Sequence, residues 1–197
     1  MSPDLLLALV GYAFAATGTP GPNNMMVLAS GANYGYLRTV PHMVGIWTGL
    51  ATMLVAMGAG LGQAFEVFPP LQTGLKIAST AYLLYLAWKI ATAAPPDGQS
   101  AGGRPMTVVQ AALFQWVNPK AWAMALTVIS AYLPAPSPEN IGIAILTFTG
   151  AAMVSNSVWA VLGIQGARLL TTPARLRSFN RAMAGLLVLS LWPVVVA

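Results

Sequence analysis

Two short stretches carry the residues whose types could do chemistry. Thr19-Pro20-Gly21-Pro22-Asn23-Asn24 and Val117-Asn118-Pro119-Lys120-Ala121 each interrupt a long apolar run. Pro20, Pro22 and Pro119 lack a backbone N–H and clash with the preceding helical turn. Gly18 and Gly21 loosen the first stretch further. Backbone groups opened in hydrocarbon cost several kcal/mol each unless satisfied, so both breaks must face protein or a watery cavity. A half-helix restarting at Asn23 and Asn24, read as cap-type residues, presents a partial positive charge to an anion. Lys120 falls near the middle of its apolar run, where a lysine costs about 2.5–3.5 kcal/mol on insertion scales. No Asp or Glu stands in the interior of any apolar run. The partners open to Lys120 are therefore freed carbonyls, asparagine side chains, water or a bound carboxylate. It either caps the broken helix or holds a ligand, and the two roles can coexist.

The elements that must position these residues follow from composition. Of 197 residues, 57% are hydrophobic and 7% are charged. Soluble domains carry about 25% charged residues, and about 20 apolar residues cross a bilayer as a helix. The chain is read as an all-α integral membrane protein. Six transmembrane spans are predicted at roughly 4–32, 40–62, 70–92, 107–132, 140–165 and 177–196, with helices 1 and 4 broken mid-membrane. The N-terminal segment has no Lys or Arg before its apolar run, and Asp4 stands where a signal peptide would carry a cation. It is expected to remain as the first span. With no cysteine in the chain, disulfides and thiol redox chemistry are excluded. The spans offer no Asp, Glu or Cys from which to build an active site, so no enzyme activity, cofactor or metal site is expected. A net charge of +5 suggests nucleic acid in a soluble protein. In a membrane protein it reports topology, and no nucleic-acid partner is expected.

Arg38, Lys89, Arg104, Arg168, Arg175, Arg177 and Arg181 lie in or beside the connections after spans one, three and five. The other connections hold Glu66 and Glu139, with Lys76 the one cation near them. Basic loops stay cytoplasmic, so both termini are predicted periplasmic or extracellular. Trp88 beside Lys89 fits an inner interfacial anchor, and Phe65, Phe68 and Trp192 fit outer ones. Aligning Pro22 with Pro119, a shift of 97 residues, brings Gly45-Ile46 onto Gly142-Ile143. Three spans per half place the second half upside down. The chain divides into a first three-helix repeat at 1–92, a Pro/Gly-rich cytoplasmic linker at 93–106 and a second repeat at 107–197. Paired interrupted helices in inverted halves point to a secondary transporter's binding site.

Other polar residues admit plainer readings. Asn156, between Ser155 and Ser157, could line a cavity or hold helices together. His42, the one histidine, is expected to be solvated at the cytoplasmic start of span two, with a proton relay as the alternative. Gly45, Gly49, Gly58, Gly60 and Gly62 permit close packing, and Met25, Met26, Met53 and Met57 read as apolar packing.

TPGPNNMMVLASGANYG, GIWTGL, AYLLYLAWKIA and FQWVNPKAWAM together resemble the LysE/RhtB family of amino-acid exporters, most closely the branch that includes cysteine and O-acetylserine exporters. The resemblance runs along nearly the whole chain. It implies export of small amino acids from the bacterial cytoplasm across the inner membrane, driven by proton antiport. The positions matching the family motifs are Gly21, Pro22, Asn23, Asn24, Asn118, Pro119 and Lys120, and with Asn156 they form the expected substrate site. Many members carry an acidic residue after a glycine in the second helix, whereas here Gly49 is followed by Leu50. That departure removes one proton carrier and favours small neutral substrates over lysine or arginine. The alternative is a membrane scaffold or small-ion channel that transports no amino acid.

Overall fold

The computed structural model describes residues 1–92, 104–169, 172–189 and 191. The described residues are helical throughout their regular structure. Helix α1 (Pro3–Gly18) starts at Ser2, whose side chain accepts from the Leu5 N–H, with Pro3 in the first turn. Pro20 and Pro22 end it, and α2 (Pro22–Tyr34) leaves at a bend of 55°. The expected break in the first span is therefore present.

Gly35 turns the chain at φ 79°, a conformation that suits glycine. It leads into α3 (Tyr36–Ala56), which runs on through a π turn, Met57–Leu61. Gly60 (φ 99°) ends that turn, and the short α4 (Gly62–Val67) follows. Helix α5 spans Pro69–Ala91. The second broken pair is α6 (Val108–Gln115) and α7 (Pro119–Thr127), the latter extended by a π turn at Val128–Tyr132. Helices α8 (Pro138–Leu169) and α9 (Pro173–Leu189) complete the described fold.

Among the described residues, Tyr36–Leu61 and Pro138–Arg168 are each long and apolar enough to cross a membrane, and the bent α1–α2 pair passes as a third span. Helices α5 and α9 and the α6–α7 pair do not pass that test on length and composition. Lys76 and Lys89 dilute α5, and Arg175, Arg177 and Arg181 dilute α9. The π turns and α4 were not expected. Helix α8 overruns the predicted 140–165 by several residues: its 32 residues reach about 48 Å, against a hydrocarbon core of about 30 Å. The linker call at 93–106 falls mostly on residues outside those described, as do Trp192 and the Phe65 side chain.

Helix α8 is the axle of the bundle, packing on α1, α2 and α3, while α3 packs on α6 and α5 on α9. Small residues let these backbones meet. A Cβ added at Gly31 would collide with the Ala160 backbone, and one at Gly163 with the Leu28 carbonyl. Across the α3–α6 contact, Gly45 and Gly49 leave the same kind of space for Val108 and Ala112. The packing role expected of Gly45 and Gly49 is thus met. Leu50, Met53, Leu54, Trp122 and Phe148 form the largest apolar cluster, and Met25, Met26 and Met57 are also buried. Large apolar side chains such as Leu7, Leu37, Val109 and Leu146 lie exposed on the outside. A surface of that kind suits contact with lipid and is rare on soluble monomers.

Candidate functional site

Breaking the first span strands the carbonyls at the end of α1, and side chains from three other helices take them up. The Thr17 carbonyl accepts from Asn24 Nδ2 (2.7 Å) on α2 and from Ser155 Oγ (2.7 Å) on α8. The Gly18 carbonyl accepts from Trp159 Nε1 (3.2 Å). The Thr19 carbonyl accepts from Asn24 Nδ2 (2.8 Å) and from Lys120 Nζ (2.8 Å) on α7. Lys120 Nζ also donates to Thr19 Oγ1 (2.9 Å) and the Pro20 carbonyl (3.4 Å). Of the partners open to Lys120 in the sequence, freed carbonyls are the ones it uses. Gly21 admits it, because a Cβ there would lie 2.8 Å from Lys120 Cδ.

The start of α7 is held by Asn118, whose side-chain oxygen accepts from the Lys120 backbone N–H (3.1 Å). Such an N-cap satisfies a donor that has no helical acceptor. The start of α2 differs from the sequence expectation. Gly21 occupies the cap position and provides no side-chain bond. Asn23 and Asn24 lie inside the first turn and face outward to other elements. Asn23 exchanges two hydrogen bonds with Gln115 on α6, at 2.8 and 3.0 Å. Asn24 reaches back to α1 and accepts from Asn156 Nδ2 (3.3 Å), while Asn156 accepts from Trp47 Nε1 (2.9 Å). One chain of hydrogen bonds thus joins Trp47, Asn156, Asn24 and Thr19 to Lys120.

These groups surround a cavity of about 20 Å3 between α1, α2, α3, α7 and α8. Gly21, Asn23, Asn24, Asn118, Lys120 and Asn156 line it, with Leu50 and Met124 in the wall. Pro22 and Pro119 do not line it; they start the two half-helices. A cavity needs about 10–15 Å3 to hold one water, so the space accepts a water and no amino acid: the two broken helices are closed on each other. Leu50, which follows Gly49, contributes only apolar surface to the cavity.

The LysE type translocator family model matches residues 14–196. The chain belongs to the LysE type translocator family. Cysteine/O-acetylserine efflux proteins of Escherichia coli K12, Escherichia coli O9:H4 and Shigella sonnei are each 30% identical to it over 195 residues, covering 95% of this chain and 96% of theirs. No solved structure gives a significant match. As a LysE type translocator, the protein is a multi-pass membrane protein and not an enzyme.

Several residues that hold the two breaks together were not singled out from the sequence. Gln115 is fully buried and ties α2 to α6, yet in sequence it is one polar residue beside a proline motif. Thr17, Trp47 and Trp159 were also missed, since none is unusual for its helix, whereas Thr19 stood in the stretch singled out from the sequence. Ser155 and Ser157 serve to hold helices together, Ser157 through Tyr36 Oη (2.8 Å). His42 is a correction: it is 1% exposed, not solvated, because it lies at the inner wall of a space that α3 shares with α2, α5 and the segment before α6.

Proposed function

We propose that this chain exports small neutral amino acids or close derivatives, of the cysteine, O-acetylserine or homoserine kind, across the bacterial inner membrane. The observation that carries this reading is the Lys120 ammonium seated on carbonyls freed by the break in the first span. Those carbonyls suit the ammonium of an amino acid equally well. The first N–H groups of α2 have no helical acceptor and suit its carboxylate. The Gly21 carbonyl is already taken by the Met25 N–H, so the ammonium is received at Thr19 and Pro20, in exchange for Lys120. The substrate site comprises Gly21, Asn23, Asn24, Asn118, Lys120 and Asn156, with Pro22 and Pro119 setting the half-helices around it.

The mechanism is alternating access between two inverted three-helix repeats, 1–92 and 107–197, joined by the linker at 93–106. Helix contacts support the pairing of halves. The broken first span packs on the fifth, the broken fourth packs on the second, and the third packs on the sixth. Exchanging the halves maps these three pairings onto one another, while the packing of α2 on α3 and on α9 has no counterpart of similar extent. Both termini face the periplasm, so tags there should react only from outside and a probe at Ser100 only from the cytoplasm.

Proton antiport rests on the same lysine. The Lys120 ammonium and the substrate ammonium compete for the same Thr19 and Pro20 carbonyls. Loss of the Lys120 proton therefore favours substrate binding, and bound substrate disfavours reprotonation, the reciprocal exclusion that exchange requires. The deciding experiment is counterflow in proteoliposomes across neutral, acidic and basic amino acids. Accumulation of small neutral amino acids is expected. A scaffold or ion channel would give no counterflow with any of them, and that outcome would sink the reading.

A further inference from the structure

A second polar region lies at the other end of α2. Between α2, α3, α5 and the segment entering α6 is an open chamber of about 110 Å3. Its lining includes Ser30, Asn33, His42, Lys89 and Arg104. Both ring nitrogens of His42, the Oδ1 of Asn33 and the Nδ2 of Asn180 are buried without a hydrogen-bond partner; Asn33 Nδ2 itself donates to Asn180 Oδ1 (3.1 Å) and to the Ala29 carbonyl (2.7 Å). Buried polar atoms are nearly always bonded, and each exception calls for a missing partner. Lys89 and Arg104 are exposed at the chamber, and neither meets a carboxylate among the described residues. The Lys89 ammonium lies 5.9 Å from the Tyr85 ring centre.

The unmet needs have a particular chemistry. A neutral histidine carries one N–H donor and one acceptor, and the free oxygen of Asn33 is an acceptor only. Two cations and an N–H donor suit a carboxylate. The Asn33 oxygen suits an ammonium. A small zwitterion carries both groups. At about 110 Å3 the chamber is smaller than the roughly 150 Å3 cavity that takes benzene, so a small amino acid fits with its charged groups inside and the rest extending through the open side.

We propose that this chamber is a loading site for the zwitterionic amino acid, separate from the closed cavity at the breaks: Lys89 and Arg104 draw in the carboxylate, and His42 and Asn33 complete its partners and those of the ammonium. The assignment of an amino acid as ligand rests on the proposed export function. Helix α2 then carries one polar site near each end, Asn33 at the chamber and Asn23 and Asn24 at the break.

The chain's one histidine makes the test specific. The full chain, purified through a histidine-free tag and labelled at histidine, is titrated with O-acetylserine or L-serine while the His42 NMR signal is followed. L-serinamide, which lacks the carboxylate, is the control. A saturable shift is expected with the amino acids and not with the amide. Replacing the two exposed cations, Lys89→Gln with Arg104→Gln, should weaken that binding about tenfold or more, the scale of charge-assisted hydrogen bonds. Lys120→Gln, which alters only the deeper cavity, should leave it in place. A His42 signal that moves with no amino acid, equally with the amide, or equally in the double variant would overturn the loading site. A saturable shift in a protein that gives no counterflow would uphold the site and reject the export function.

Discussion

The two polar regions that α2 connects differ in what their polar atoms have to bond. At the breaks, side chains meet carbonyls and one another until the space left holds a single water. In the chamber, more room is left, and buried nitrogen and oxygen atoms go without partners. The first region is stabilised as it stands and must be opened to work. The second is incomplete as it stands, and a ligand would complete it. Polarity alone does not mark a receptive site; the balance of donors against acceptors does.

The most damaging way to break the comparison is to dislodge α2 from both regions at once. Gly163→Leu forces a side chain into the Leu28 carbonyl, which cannot swing aside as a flexible side chain would. Overpacking of that kind should cost about 3 kcal/mol or more, read as a large drop in the melting temperature of the purified protein. Unchanged melting would remove the close crossing from the account.

Asn24→Leu tests the satisfied region alone. It strips donors from the Thr17 and Thr19 carbonyls and a partner from Asn156, and should destabilise by about 2 kcal/mol. Lys120→Gln comes next. It should fold and lower transport about tenfold, equivalent to about 1.4 kcal/mol. Lys120→Arg should fail in part, because a guanidinium does not release its proton. Wild-type rates and pH dependence in folded Lys120→Gln would leave the lysine as a helix cap.

The smallest effect sharpens the contrast. His42→Leu removes a buried polar ring that has no partner, so stability should change by less than about 1 kcal/mol, or rise. A loss as large as that of Asn24→Leu would mean the chamber is as satisfied as the breaks.

What was legible in the sequence follows the same division. Pro20, Pro22 and Pro119 act locally, through a missing N–H, so the two breaks could be read directly. Asn118 also acts locally, capping its helix through the Lys120 N–H two residues on, although the cap reading had fallen on Asn23 and Asn24. Asn23 and Asn24 had the right types for capping, but their partners, Gln115 and the end of α1, are set by how helices cross. His42 stands six residues after Tyr36, where an interfacial position looks natural. Its burial depends on the far end of α2 and on Met106, distant in sequence. Donors that satisfy a broken helix from elsewhere leave no periodic mark.

The bond from Lys120 to Thr19 has a consequence for concentration. Lys120 is an ammonium that can never diffuse away from its carbonyls. A group held on a short flexible tether acts at an effective concentration of order millimolar. Under the proposed mechanism, a free amino acid must compete for Thr19 against this captive one. The transporter then idles while its substrate is scarce and turns over when the amino acid approaches the level its own lysine imitates. An exporter so arranged works as an overflow valve, and the length of one side chain helps to set the level at which it spills.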